Sequence, residues 1–243
     1  MTEFVEAAVA AGMEYYGFTP HSPLPIESSC NMHDFQVPDY LAESVRLKKL
    51  YSGRITLFTG MEIDYLSEEW GPATDYFRKL PLDYRIGSVH FIPSDSGPVD
   101  VDGSPQSFIR KVDELFAGDI RHVVTTYFRR VTDMLTAGCL DIVGHYDKIW
   151  LNARAYQPGI EELPWFRRLS DQLTDAVIES GVAVEINTKT FEQHGFYSPD
   201  RRHWKKLKES DVTLLVNSDA HFVNLIDIHR RDTLQQLALI NTL

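Results

Sequence analysis

The sequence is poor in cysteine, with only Cys30 and Cys139 among its 243 residues. The two lie far apart and form no C-x-x-C pattern, which argues against a disulfide scaffold, a thiolate zinc site and a redox motif. Long apolar runs are also lacking, so no segment is predicted to span a bilayer. The first six residues are acidic where a signal peptide would be basic, and we therefore expect a cytoplasmic protein.

Positive charge is scarce as well. The chain has 24 Lys and Arg against 35 Asp and Glu, a formal net charge of −11. Such a surface repels phosphate backbones and disfavours nucleic acid as a partner. We interpret the one basic run, residues 201–206, as a solvated helix face. A small anionic substrate remains compatible with this charge, provided that bound cations supply a local positive field.

Glycine-rich nucleotide-binding fingerprints are missing too, and what the chain does contain is a regular alternation. Apolar, β-branched runs alternate with helical segments, a pattern that predicts an α/β fold with parallel strands and crossover helices. The length suits one barrel-type domain covering residues 1–243. We expect loops at 93–105 and 188–199 and an irregular stretch around 148–154. The predicted strands are 16–19, 55–62, 84–91, 140–144, 182–187 and 212–217.

Imidazole or carboxylate side chains stand at or just beyond the ends of these strands. If the sheet closes into a barrel, all of those ends face one mouth, so we expect the side chains around one cavity. For any single histidine a hydrogen-bonded structural role is at least as common as ligation, but the recurrence favours a metal site. The set contains no thiolate, which suits Zn²⁺, Mn²⁺ or Fe²⁺. The candidate ligands are His21, Glu62, His90, His145, Asp219 and His221.

The two carboxylates among these candidate ligands are also candidate catalytic residues. Glu62 is the natural bridge between ions, and Asp219 is a candidate to protonate a leaving alkoxide, a task that a coordinated water could perform instead. Ions that share a water activate it as a nucleophile and bind phosphoryl oxygens. The residues therefore predict metal-dependent hydrolysis of a phosphate ester.

Six short motifs together resemble the polymerase and histidinol phosphatase (PHP) family, and within it the PHP-type histidinol-phosphate phosphatases. They occur in family order along nearly the whole chain. The motifs are Gly17-Phe-Thr-Pro-His21, Gly60-Met-Glu62-Ile-Asp64, Gly87-Ser-Val-His90, Gly144-His145-Tyr-Asp147, Glu185-Ile-Asn187 and Asn217-Ser-Asp219-Ala-His221.

The resemblance implies a distorted (β/α)7 TIM-like barrel, up to three divalent ions held by the six candidate ligands, and L-histidinol phosphate of histidine biosynthesis as the substrate. From charge and loop position alone, Ser88, Arg154 and Lys189 are candidate phosphate contacts. On the same grounds Glu185, with Asp100 and Asp102, could attract the ammonium group of the substrate.

One departure from the family pattern concerns the start of the chain. The family's first strand carries a His-x-His pair, and this sequence contains no His-x-His. We therefore expect the first strand to be missing, fewer than three ions, and self-association through exposed strand edges. The ion held by Glu62, His90 and His145 should bind best. The sequence leaves open a phosphoesterase of broader specificity and an impaired or non-catalytic metal-binding barrel.

Overall fold

A parallel sheet of six strands forms the centre of the structure, a computed structural model that describes residues 1–240. Its strands are β1 (Tyr15–Phe18), β2 (Thr56–Asp64), β3 (Tyr84–Ser88), β6 (Ile142–Val143), β7 (Ala183–Asn187) and β8 (Leu214–Asn217), hydrogen-bonded in that order. Residues of the two outermost strands, β1 and β8, line the same cavity, so the sheet is curled into a partial barrel. The remaining strands, β4 (Phe91–Ser94) and β5 (Gly97–Asp100), form a separate antiparallel hairpin.

Helices connect the parallel strands and cover the sheet. They are α1 (Thr2–Ala10), α2 (Val37–Leu50), α3 (Asp75–Lys79), α4 (Pro105–Leu115), α5 (Ile120–Ala137), α6 (Ile149–Tyr156), α7 (Pro164–Ser180), α8 (Lys189–His194), α9 (Trp204–Lys208) and α10 (Arg230–Leu239). Short 3-10 turns lie at Asp34–Gln36, Ile160–Glu162, Arg201–His203 and Val223–Leu225. Within residues 1–240 no helix is both long and apolar enough to cross a membrane.

The fold class predicted from the sequence is confirmed, since all six predicted strands enter one parallel sheet with the alternation expected of a barrel of this kind. The prediction of a loop at 93–105 is wrong for much of its length, because 91–100 form the β4–β5 hairpin and α4 begins at Pro105. Pro93 and Pro98, which hid the strands in the sequence, face each other across the hairpin. Proline is tolerated in such a two-stranded ribbon, where every strand is an edge.

Two further predictions of irregular structure are wrong in the same way. Residues 149–156 form α6, whose apolar residues Ile149, Trp150 and Ala153 are buried. Its polar residues suggested a loop, but they bind another segment of the protein. Asn152 Nδ2 donates to the carbonyls of Val101 and Gly103 at 2.9 and 3.0 Å. Likewise residues 189–194, expected as loop, form the short helix α8.

Glycine makes room for one large ring inside the partial barrel. A Cβ at Gly17 would lie 2.1 Å from the hydroxyl of Tyr84, and one at Gly60 would lie 2.5 Å from its ring. Tyr84 pairs with Gly60 in the β2–β3 register, four residues before the pair formed by Asp64 and Ser88. The tyrosine therefore fills the amino-terminal end of the barrel interior and leaves the carboxyl end to polar residues.

Candidate metal centre

Three buried side chains meet where β2, β3 and β6 end. His145 Nε2 lies 3.1 Å from Glu62 Oε1, His90 Nε2 lies 3.5 Å from the same oxygen, and the two Nε2 atoms are 3.4 Å apart. The chain delivers them here because β2, β3 and β6 are neighbours in the parallel sheet, with their carboxyl ends at one edge. Their relative exposures are 7% for Glu62, 6% for His90 and 2% for His145.

Asp64 fixes the orientation of the His90 ring. Its Oδ1 lies 2.6 Å from His90 Nδ1, so the carboxylate accepts the Nδ1 proton and leaves Nε2 facing Glu62 and His145. Burial alone would lower the pKa of His90, but the charges of Asp64 and Glu62 raise it to about 10. Asp64 was not among the ligands predicted from the sequence. It could have been found, because residues two apart on a strand share one face and Glu62 was already a predicted ligand.

His21 approaches from the other side of Glu62. Beyond the end of β1 the chain continues beside β2, with Glu62 N–H donating to the Pro20 carbonyl at 3.1 Å and Ser22 N–H to the Glu62 carbonyl at 2.8 Å. This pairing places His21 Nδ1 3.5 Å from Glu62 Oε2. Glu62 therefore presents one oxygen to His90 and His145 and the other to His21, as a bridging carboxylate requires.

The three histidines lower the pKa of the Glu62 carboxyl group. Burial raises the pKa of Glu62, but His21, His145 and His90 together hold it well below its usual range. The carboxylate is thus ionised at neutral pH and ready to accept a cation.

Asp219 and His221 form a second polar group at the end of β8. Asp219 has a positive φ of 46°, a conformation that aspartate tolerates better than most residues. Its Oδ2 accepts hydrogen bonds from Asn187 Nδ2 at 3.1 Å and Lys189 Nζ at 3.2 Å. Lys189 Nζ also lies 3.2 Å from His221 Nδ1, so its ammonium group already occupies the space between the two predicted ligands.

The residues at the triad fit a divalent ion. Two imidazole nitrogens and a carboxylate oxygen face one another, and the donor pairs are 3.1, 3.4 and 3.5 Å apart. Ligands arranged tetrahedrally around Zn²⁺ at its usual bond lengths are about 3.3 Å apart, so the donor set matches. Within residues 1–240, the groups of three possible donors are Glu62 with His90 and His145, and His21 with Asp64 and His90. Neither group includes Asp219 or His221.

Glu185 lines the cavity described below and also binds the backbone of a candidate ligand. Its Oε2 accepts the backbone N–H of His145 at 2.8 Å and Asn187 Nδ2 at 3.3 Å, while Oε1 accepts Asn217 Nδ2 at 3.2 Å. Burial raises the pKa of Glu185. Ser88 is fully buried, and its hydroxyl has no hydrogen-bond partner within the described chain.

The other residues predicted to bind substrate already have partners within the protein. Arg154 pairs with Glu161 at 3.3 Å and stacks 4.4 Å over the Phe196 ring, and neither partner is a candidate ligand. Asp100 and Asp102 are paired with Lys111 at 3.2 Å and Lys148 at 2.7 Å, so their charges are already balanced.

The basic run at 201–206 is not simply the solvated face that we expected. His203 and Trp204 are buried, with exposures of 2% and 1%. His203 Nε2 lies 2.9 Å from Ser170 Oγ and accepts a hydrogen bond from Arg202 Nε at 3.1 Å. This histidine is part of the core and lies outside the centre.

A cavity of about 850 Å³ opens beside the centre. His21, Glu62, Glu185, Asp219 and His221 line it, together with Tyr84. A curled parallel sheet with an imidazole and carboxylate centre at its carboxyl edge defines a metal-binding barrel of the hydrolytic type.

Comparison with known proteins agrees with this class. The sequence matches the PHP domain over residues 1–189, and the chain therefore belongs to the PHP family. A histidinol-phosphatase from Bacillus subtilis is 28% identical over 242 residues, covering 91% of this chain and 87% of the relative.

Two solved structures share the fold. The HisK protein from Listeria monocytogenes superposes with a TM-score of 0.82 at 18% identity, covering 95% of this chain and 92% of the other. The histidinol phosphate phosphatase from Lactococcus lactis, solved with zinc, L-histidinol and phosphate, superposes with a TM-score of 0.67 at 17% identity. That match covers 99% of this chain and 87% of the other.

Proposed function

We propose that this protein is a metal-dependent phosphomonoester hydrolase whose substrate is L-histidinol phosphate. The observation that carries the proposal is the triad of Glu62, His90 and His145, whose donor spacing suits a divalent ion at the edge of a cavity. The substrate is suggested by the relatives, which are named for that activity.

The side chains divide the work as follows. Glu62, His90 and His145 would hold the ion, with His21 against the second Glu62 oxygen and Asp64 orienting His90. When bound, the ion supplies Lewis acidity at the phosphoryl group. Glu185, bonded to the backbone of His145, keeps that ligand in place.

Asp219 is suited to receive a proton in the first step. Burial raises its pKa, but the charges of Lys189, Lys148 and His145 together hold the pKa below its usual range. An ionised Asp219 can accept a proton from the attacking water and return it later to the leaving alkoxide. Lys189 is in reach of the same carboxylate and is our candidate contact for a phosphoryl oxygen.

The test is phosphate release by the purified protein after reconstitution with Zn²⁺ or Mn²⁺. We expect L-histidinol phosphate to be hydrolysed with a kcat/KM at least tenfold above that for unrelated sugar and nucleoside monophosphates. E62Q should abolish the activity, whereas E69Q, which changes an exposed glutamate, should retain it. Equal rates on all monoesters would indicate a phosphoesterase of broad specificity, and no hydrolysis with any metal would contradict the proposal.

A weakly active or non-catalytic barrel is the second candidate, and Lys189 is the observation that favours it. Its ammonium group lies between Asp219 and His221, where a further ion would have to bind. A metal content of one ion or fewer per chain, without turnover, is the result expected of that candidate. Self-association through β1 and β8, the edges of the sheet, remains our proposal for the assembly.

A further inference from the structure

Lys148 is a lysine held close to the metal centre. It follows His145 by three residues and precedes the first turn of α6, and its side chain is only 14% exposed. Its Nζ donates to Asp102 Oδ2 at 2.7 Å. Lys148 N–H donates to the His145 carbonyl at 2.9 Å, and Val101 N–H, next to Asp102, donates to the His90 carbonyl at 2.9 Å, so the Lys148–Asp102 pair lies beside two candidate ligands. Burial lowers the pKa of Lys148, but the charges of Asp102, Asp219 and Glu62 together raise it.

Lys148 is not needed to hold the segment around Asp102 in place. The segment after β5 is already held by Lys111, whose Nζ donates to the Asp100 carbonyl at 2.7 Å and its carboxylate at 3.2 Å. Asn152 holds the same segment through the carbonyls of Val101 and Gly103. An ammonium group has three N–H donors, and the described contacts of Lys148 use one of them.

Lys189, our first candidate for a phosphoryl contact, already has protein partners, as do Arg154 and the cavity-lining Arg230, which lies 3.7 Å from Asp227. Lys189 contacts both Asp219 and His221, and Arg154 is paired with Glu161. A phosphoryl dianion beside a cluster of carboxylates needs positive charge in addition to that of the ion, because the protein as a whole carries a net charge of −11.

We propose that the ammonium group of Lys148, oriented by Asp102, binds a non-bridging oxygen of the substrate's phosphoryl group. The inference rests on the proposed function as a phosphomonoester hydrolase, and it names a recognition residue that acts by charge and position. Asp102 is a positioning residue that keeps the flexible lysine stem aimed towards the centre.

The experiment measures phosphate recognition with and without turnover. Inorganic phosphate is titrated by calorimetry into the metal-loaded wild type, K148M and K111M, and KM is measured for L-histidinol phosphate. We expect K148M to weaken phosphate binding at least tenfold and to raise KM by a similar factor. K111M, the matched loss of a lysine paired with an aspartate on the same segment, should change both by less than twofold.

Further variants separate charge from a structural tie. K148R should recover most of the phosphate affinity, and D102N, which keeps the lysine charge, should lose less than threefold. Affinity for L-histidinol, which has no phosphoryl group, should change less than twofold in K148M. Unchanged phosphate affinity in K148M, an equal loss in K111M, or a loss in D102N as large as in K148M would overturn the inference.

The direct phosphate titration keeps two possible failures distinct. Absence of histidinol-phosphate hydrolysis alongside weakened phosphate binding in K148M would reject the proposed substrate and leave the role of Lys148 supported. Hydrolysis of that substrate with normal phosphate binding in K148M would support the proposed substrate and reject the role of Lys148. If K148M unfolds early, K148Q takes its place in the same titration, because it removes the charge and keeps a polar side chain at this position.

Discussion

Single side chains decide how this centre handles a cation, and Asp64 is the clearest case. Its carboxylate is 1% exposed and accepts the His90 Nδ1 proton at 2.6 Å. Residues that orient a ligand in this way matter to metal affinity almost as much as the ligands themselves. The sequence showed the six candidate ligands because each stands at or just beyond a strand end. It also places Asp64 on the same strand face as Glu62, but no local pattern shows that the Asp64 carboxylate turns towards His90.

We predict that D64N weakens binding of Zn²⁺ about 10- to 100-fold. An amide accepts a hydrogen bond less strongly than a carboxylate, so the His90 ring loses both its orientation and part of its basicity. Competition with a chromophoric chelator measures the affinity. D75N, which alters an aspartate that is 74% exposed, is the control, and equal affinities in the two variants would contradict the role of Asp64.

His203 yields a pH dependence at the same scale. Burial, with help from Arg202 and Lys206, lowers its pKa to about 3. The unfolded chain takes up this proton near pH 6.5, so stability is complete above that pH and falls as the pH drops towards 3. We predict that chemical denaturation of the wild type shows a loss of about 1.4 kcal/mol per pH unit from this residue. H203Q should flatten the slope between pH 6 and 4, whereas H122Q, an exposed site, should keep it.

At the scale of elements, strands were easier to predict than the segments between them. The parallel strands are buried apolar runs, which the sequence displays directly. The β4–β5 hairpin and α6 escaped notice because prolines in one and polar residues in the other disguise their periodicity. Their polar groups are satisfied by partners distant in sequence, such as Asn152 with Val101 and Gly103, and no local pattern reveals such pairs.

The packing of β2 against β3 depends on a glycine. We predict that G60A destabilises the protein by about 1–3 kcal/mol, because its new methyl group would lie 2.5 Å from the Tyr84 ring. Urea denaturation gives the free energy of unfolding. In a Y84A background the ring is absent, so the added cost of G60A should largely vanish. Additive effects in the double variant would mean that the clash does not limit this position.

For the molecule as a whole, one sheet joins two large groups of buried apolar residues. One surrounds α5 and α7, and the other surrounds α2 and β2. Strands β2 and β3 pair over five residues between them, so neither group has a sheet of its own. The length and alternation of the sequence predict a single domain, whereas the curl of the sheet depends on long-range packing that only the structure reveals.

We predict that thermal unfolding is one cooperative transition in which calorimetric and van't Hoff enthalpies agree. Adding Zn²⁺ at 100 times its dissociation constant should raise stability by about 2.7 kcal/mol without splitting the transition. Two resolved transitions, of which only one responds to metal, would instead show that the groups unfold as separate units.

The facing prolines of the hairpin have a practical use. Pro93 and Pro98 remove backbone donors from β4 and β5, so the ribbon is poorly able to recruit another strand. Its tip, at Asp95 and Ser96, is exposed and is separated from the candidate ligand His90 by the whole of β4. That turn is therefore a suitable place to attach a fluorescent reporter, once the exposed thiols of Cys30 and Cys139 have been replaced by serine.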